Sequence, residues 1–182
     1  MPGEKAQVMQ YWILIFNQKR LDGLNETGLV SALEGANLTK LCMQFGLDDA
    51  LIAPAVAHLQ LLTAPARAVP FSALHYQSEG HHPVFIHCWD IRRDDGAAML
   101  AAFLNKSTSS ALAARLKTVQ QIWGVELSPN QLEDMGLVFA YEIARFMVAE
   151  GGGLVRGLDG VWYRLNRHEA FIPLQDYPPC KP

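Results

Sequence analysis

The chain is poor in cysteine and carries only a small excess of negative charge. Its three cysteines, Cys42, Cys88 and Cys180, are irregularly spaced among 182 residues, which argues against a disulfide framework and favours a reducing compartment. A formal net charge of −3 argues against general nucleic-acid binding, because that activity needs a basic surface. We therefore expect a cytoplasmic protein that does not bind nucleic acid.

Long apolar stretches are also missing. No segment approaches the ~18 consecutive apolar residues of a membrane-spanning helix. The apolar run Val8–Phe16 contains Gln10, lacks a small-residue cleavage site and is followed by Lys19 and Arg20. It therefore fits a buried strand better than a signal peptide, and we expect no membrane partner.

Established catalytic and cofactor motifs are absent as well. The sequence has no G-x-S-x-G, H-E-x-x-H or C-x-x-C pattern. The glycines Gly151–Gly153 follow a predicted helix, whereas phosphate-binding glycines precede a helix whose N-terminus meets the phosphate. We predict no cofactor and assign no catalytic residue.

The remaining composition is that of a globular protein, with 50% hydrophobic and 18% charged residues. The length suits a single domain over residues 1–182. Within it, residues 1–64 are a possible helical N-terminal subdomain, and residues 63–70 its linker. We expect residues 175–182 to form an extended tail.

The strongest local pattern is a long helix. Ser128-Pro129-Asn130-Gln131 is typical of a helix start. The serine hydroxyl can accept a hydrogen bond from a free N–H of the first turn, and proline loses no needed donor at the first helical position. The glutamine side chain can reach back to the backbone N–H of the serine. Apolar residues then recur every three or four positions up to Met147, which predicts a central helix at about 129–150. Gly151 provides its C-terminal cap.

A hairpin is predicted directly after this helix. Asp159-Gly160 lies between two apolar runs and is a strong signal for a tight turn. The favoured register places Leu154 opposite Leu165 on one side of the hairpin. Trp162 and Arg164 then lie on the opposite side, so we expect the helix to cover the leucine side.

Further strands and helices complete a predicted α+β fold. Tyr11–Phe16 is typical of a strand covered on both faces, and Phe71–Gln77 with Val84–Trp89 predicts a second hairpin in which Leu74 faces Ile86. Val125–Leu127 is compatible with a short strand or with a hydrophobic staple at the start of the next helix. Other helices are predicted from Asn25 to Gly35, Asn37 to Gly46, Asp48 to Leu62 and Asp94 to Lys106. A further predicted helix has Leu112, Leu116, Val119 and Trp123 on its inner side and ends at Gly124. The predicted architecture is an antiparallel sheet of two hairpins plus an N-terminal strand, packed against several helices that include the central one.

Histidines cluster in the first hairpin. The favoured register places His75 and His87 on one face, with His81 and His82 in the turn and Cys88 adjacent to His87. Converging imidazoles can hold a divalent metal, although the ligand spacing is irregular and a solvated or partner-covered face is the simpler interpretation. We assign no metal site.

Arginines cluster around the central helix and the second hairpin, from Arg145 to Arg167, with His168 beside them. Arg156, Arg164 and Arg167, near Trp162, can grip a carboxylate, a phosphate or an acidic protein surface. Arginine and tryptophan are also enriched at protein interfaces. The simpler alternative is a solvated strand face.

These observations lead to three functional hypotheses. The first is a non-catalytic protein-binding module: an adaptor, an inhibitor or a toxin-neutralising, immunity-like partner of bacterial type. Its contact residues would be Trp162, Arg156, Arg164, Arg167, His75 and His87, and its partner another protein. The second is a small metal-assisted or cysteine-based enzyme using His75, His87 and Cys88. The third is an anion-ligand sensor based on the three arginines. The oligomeric state stays open.

Overall fold

The computed structural model describes residues 11–63, 71–77, 81–107 and 109–174. Eight strands are found in these ranges: β1 (Trp12–Asn17), β2 (Gln60–Thr63), β3 (Phe71–His75), β4 (Val84–Asp90), β5 (Gln121–Glu126), β6 (Gly153–Arg156), β7 (Trp162–Leu165) and β8 (Phe171–Pro173). Six α-helices accompany them: α1 (Glu26–Gly35), α2 (Leu38–Phe45), α3 (Ile52–Ala57), α4 (Asp94–Lys106), α5 (Ser110–Leu116) and α6 (Met135–Gly151). The α+β class predicted from the sequence is confirmed.

The strands form one antiparallel sheet in the order β2-β3-β4-β5-β1-β6-β7-β8. β1 lies inside this sheet, between β5 and β6. All six of its residues, Trp12–Asn17, are buried, which confirms the prediction of a strand covered on both faces. The N-terminal part of the chain and the C-terminal hairpin therefore share one sheet.

The first face of the sheet carries the larger core. Strand residues such as Ile13, Val125 and Val155 pack there against α1, α2 and α6. α6 lies across β1 and also contacts β5, β6 and β7. The prediction that a central helix crosses the sheet is confirmed.

The second face has a smaller core under α4 and α5. Leu14, Phe16 and Trp162 lie there beneath Leu112 and Leu116 of α5, with Phe103 of α4 packed beside them. α4 contacts β4 and β5. Within the described ranges, β2 and β3 have no helix over this face.

The central helix begins later than the sequence indicates. Ser128 and Gln131 do form the reciprocal capping bonds, but they open a 3₁₀ turn, Pro129–Glu133. The α-helix starts at Met135, where the carboxylate of Asp134 accepts a 2.6 Å hydrogen bond from the N–H of Gly136. Asp134 has an extended backbone, so it interrupts the helical path and caps α6 anew.

β5 is the largest departure from the predicted elements. Trp123 was expected on a helix ending at Gly124, yet α5 ends at Leu116 and Gln121–Glu126 is an interior strand. Ile122 and Trp123 point to opposite faces and both are buried, as in any strand covered on both sides. Glycine at the centre of this strand resembles a helix stop in sequence. β2 was likewise expected to be helical, and β8 was not predicted.

The register of the second hairpin differs by one residue from the prediction. Arg156 pairs with Trp162, and Val155 with Tyr163. The N–H of Gly157 donates to the carbonyl of Val161 at 2.9 Å, so the loop is longer than a two-residue turn. Because a one-residue shift exchanges faces, Trp162 lies on the face of Leu154, away from α6.

The register of the first hairpin differs by two residues. Leu74 pairs with Val84, not with Ile86. A two-residue shift keeps every side chain on its face, so the apolar pattern could not distinguish the two registers. Tyr76 has left the ladder, and its hydroxyl donates to the carboxylate of Asp134 at 3.0 Å.

The predicted linker and tail fall almost wholly outside the described residues, apart from Thr63, which ends β2. Within the described ranges, no helix is long and apolar enough to cross a membrane.

Candidate binding surfaces

The histidines of the first hairpin do not converge. His75 is opposite Gln60 of β2, whereas the residue opposite His87 on β3 is Phe71. The two histidines are therefore about four residues, or ~13 Å, apart along the strand direction. No group of three or more His, Cys, Asp or Glu side chains that could hold a metal is found in the described part of the chain.

His87 belongs instead to an aromatic cluster on the second face. Its ring centroid lies 4.7 Å from that of Trp12 and 5.7 Å from that of Trp89. Its Nε2 atom lies 2.9 Å from Oε2 of Glu126. This Glu126 contact could not be expected from the sequence, because the pattern around Trp123 favours a helix over a strand beside β4.

Cys88 is a poor nucleophile in this environment. Burial raises the pKa of its thiol to about 11, although the nearby Gln121 amide partly opposes that rise. The Nε2 atom of Gln121 lies 3.2 Å from Sγ. A thiol with so high a pKa stays protonated at neutral pH, and the thiolate is the reactive form. The geometry thus gives no support to cysteine-based catalysis.

The arginine cluster divides into three separate sites. Arg145 pairs with Glu142 at 2.8 Å and also with Glu169. Arg167 lies in the exposed turn before β8 and donates to the ring of His168 at 3.1 Å. Arg156 and Arg164 share the second face, where Leu14 and Trp162 lie on either side of Arg156.

Trp162 is not a surface residue. It is fully buried, with its ring centroid 5.0 Å from that of Phe16 and 6.1 Å from that of Phe103. The expected exposed face with Trp162 as a contact residue is therefore wrong. Its burial results from α4 and α5, which cover the second face. From the sequence, a helix was expected only over the opposite side of this hairpin.

The first edge of the sheet is the surface that sequence reasoning missed. Among the described strands, β2 pairs only with β3 and is the last strand of the sheet. Leu62 of this strand is 48% exposed, a large fraction for an apolar side chain. The strand reads Gln60-Leu61-Leu62-Thr63 and contains neither a charge nor a proline. The sequence QLLT has no alternation of apolar and polar residues that would mark it as a half-buried strand.

A shallow groove lies beside this edge strand. Its volume is about 550 Å³. The lining residues are Ala57, His58, Leu59, Gln60, Leu62, His75 and Gln77. His75 therefore does belong to a candidate surface, in the company of β2 and not of His87.

A second, more polar cleft is occupied by its own ion pairs. Asp90 accepts hydrogen bonds from Arg92 and lies 2.8 Å from Arg20 as well. Cys88 and Gln121 form part of the wall of this cleft of about 710 Å³. Because the carboxylate already holds two guanidinium groups, the arrangement is that of a surface ion-pair network.

No family model, curated protein or solved structure matches this chain. The assignment of function therefore depends on the geometry described above.

Proposed function

We propose that this protein is a non-catalytic protein-binding module and that it binds an extended segment of a partner protein along β2. The observation that carries the proposal is the exposed Leu62 on an unprotected sheet edge. An adaptor, an inhibitor or a toxin-neutralising protein could each bind its partner by strand addition at such an edge. We also propose that it acts in the cytoplasm, in keeping with its few cysteines.

The two ends of the sheet differ in a way that favours β2 as the binding edge. Natural sheets protect their outer strands with prolines and charges, because an open edge pairs with other chains. β8 ends in Pro173. β2 has no such residue, and an unprotected edge is where an extended peptide adds as a further strand.

β2 is also held in place before any partner arrives. The hydroxyl of Thr63 is hydrogen-bonded to Glu26 of α1 and lies 3.0 Å from the hydroxyl of Ser72 on β3. Leu61, on the first face, packs against the main core. A preformed edge lowers the ordering cost of binding.

The chemistry of the groove indicates the side chains of the partner segment. An added strand would present alternate residues to the second face. One of these would be apolar and cover Leu62, and its neighbours would be hydrogen-bonding residues facing His58, Gln60 and His75. Backbone hydrogen bonds to β2 would supply affinity, and the groove would supply selectivity.

A segment of a different protein fits this edge better than a second copy of the chain. β2 has four residues and is thus only ~13 Å long. Two such strands pairing edge to edge would bury much less than the ~1,200 Å² of a stable interface. A longer extended segment can use both the edge and the groove.

The experiment is a selection of short random peptides on three immobilised proteins: wild type, Leu62→Lys and Met43→Lys. Met43 of α2 is the control, since it is 76% exposed and does not line the groove beside β2. We expect selected extended peptides to bind wild type and M43K equally and L62K at least ~10-fold more weakly, because lysine blocks edge pairing. Equal binding to all three would refute the assignment of this edge.

Sedimentation of the unliganded proteins tests whether a second copy of the chain pairs with β2. We expect wild type and L62K to sediment as the same species. A dimer of wild type that L62K abolishes would show that β2 pairs with a second copy, which would overturn the proposal of a different partner protein.

A further inference from the structure

Two buried N–H donors on the second face have no acceptor among the residues that the structure describes. The Nε atom of Arg156 and the Nε1 atom of Trp162 are inaccessible to solvent, and neither has a hydrogen-bond partner in that part of the chain. Burying a donor without an acceptor is unfavourable, and such groups are nearly always paired in folded proteins. Their position therefore indicates a missing acceptor.

The two donors lie next to each other. Arg156 and Trp162 are directly opposite on β6 and β7, which places their Cβ atoms ~5 Å apart on the same face. Phe103 of α4 covers both side chains, with its ring centroid 5.8 Å from Cζ of Arg156 and 6.1 Å from that of the indole. One acceptor group between β6, β7 and α4 could serve both donors.

The charge at this position is also uncompensated. Arg145 has Glu142 and Glu169, and Arg20 and Arg92 share Asp90. In the described residues, neither Arg156 nor Arg164 has an acidic partner within ion-pair distance. Asp159, in the loop between β6 and β7, is bonded to the N–H of Val161 and the hydroxyl of Tyr163.

We propose that Arg156 and Trp162 form a binding site for a carboxylate, with Arg164 at its rim. The Nε and Nη groups of an arginine donate side by side to the two oxygens of a carboxylate. The indole N–H of Trp162 would add a third donor. Arg167, engaged by His168 in the exposed turn, takes no part.

The carboxylate has two sources that the same chemistry would recognise. One is an acidic group of another molecule. The other is the chain itself: the N–H of Leu174 donates to the carbonyl of Trp162 at 2.8 Å, and Asp176 follows two residues later in the sequence. This site is five to six strands away from β2. The proposal of a carboxylate site is therefore independent of the proposed binding edge.

The test is a titration followed through the indole N–H resonances of the folded protein by two-dimensional NMR. Succinate is added at constant ionic strength, with sodium chloride as the blank, and Trp162→Phe assigns the Trp162 signal. Trp123 is an internal reference, because its Nε1–H already donates to Gln121 at 3.1 Å. We expect a saturable shift of the Trp162 signal and none of the Trp123 signal.

Variants of the arginines then define the site. Arg156→Met should weaken succinate binding by ~10- to 100-fold, since it removes the charged hydrogen bonds. Arg156→Lys keeps the charge but not the paired donors, and should bind with intermediate affinity. Arg167→Gln is the control and should bind as wild type. Equal binding by all three variants would overturn the assignment.

Asp176→Asn distinguishes the two sources. If succinate shifts Trp162 in the wild type, the site accepts an external carboxylate. If succinate shifts the Trp162 signal only in D176N, the carboxylate in the wild type comes from the chain itself. If neither the titration nor D176N moves the Trp162 signal, water satisfies the donors and the proposal is refuted.

Discussion

The indole of Trp12 occupies the space that a side chain at Gly124 would need. A Cβ atom built at Gly124 would lie 2.7 Å from Cε3 and Cζ3 of Trp12 and from Cζ3 of Trp89. The absence of a side chain on β5 thus lets two indoles from the neighbouring strands meet over it, with His87 beside them.

Gly124→Ala should therefore destabilise the protein. The added methyl group must displace both indoles, and overpacking of this kind typically costs ~1–3 kcal/mol. Gly35→Ala is the control, because nothing lies within 4 Å of its Cβ position near the end of α1. Urea unfolding should show a lower midpoint for G124A and an unchanged or higher one for G35A. Equal midpoints would contradict the packing of the two indoles.

The buried position of Trp162 predicts a large effect of truncation. Trp162→Ala removes a fully buried indole and should cost ~3–5 kcal/mol of unfolding free energy. Met43→Ala removes a mostly exposed side chain and should change it by less than ~0.5 kcal/mol. Chemical denaturation measures both. A change of similar, small size in the two variants would place Trp162 at the surface.

Asp134 should contribute more than an ordinary helix cap. Its carboxylate accepts hydrogen bonds from Gly136, Tyr76 and Gln77, so it joins α6 to the end of β3. Asp134→Ala should cost more than the ~1 kcal/mol typical of a lost cap. Asn37→Ala, which removes the exposed cap of α2, is the comparison, and denaturation that ranks N37A as the more damaging change would refute this role.

The Cys88 thiol predicts a distinctive pH dependence. In a protein that keeps only this cysteine (Cys42→Ser, Cys180→Ser), alkylation should become rapid only as the pH approaches about 11, where the thiol ionises. The unfolded protein should react with a midpoint near the ordinary value of 9.0. Because the folded pKa is the higher one, this group stabilises the fold below pH 9, and that contribution is lost as the pH rises towards 11. An inflection of the folded protein's rate near pH 9 would contradict the burial of Cys88.

The sequence predicted the elements whose local signals agree with their tertiary surroundings. Tyr11–Phe16 is apolar on both sides, and all but its first residue became part of the central strand Trp12–Asn17. The pattern that ends at Met147 became α6. In both cases a single interpretation satisfies the spacing of the apolar residues and the caps.

The elements that were missed are those whose local signal has a second interpretation. Gly124 resembles a helix stop, although it makes room for Trp12 and Trp89 in a strand. The pair Asp159-Gly160 suggests a two-residue turn, whereas the loop closes from Gly157 to Val161. That single-residue difference moved Leu154 to the face away from α6, because register decides the face. Trp162 is buried because α4 and α5 cover that face.

The candidate sites depend on contacts between distant parts of the chain, so the sequence predicted them only in part. Nearness along the chain grouped Arg145, Arg156 and Arg167, yet each has a different environment. Arg156 was singled out from the sequence, but its neighbour Phe103 comes from α4, fifty-three residues earlier. The exposed edge at Leu62 was hidden by a helical interpretation of the segment that begins at Asp48.

The most direct measurement of the central claim is amide hydrogen exchange of the protein with and without a selected peptide. The account predicts that binding slows exchange at the backbone amides of β2 that face away from β3, within Gln60–Thr63, and leaves β8 unchanged. Protection confined to another surface, with the β2 amides exchanging as in the free protein, would contradict it.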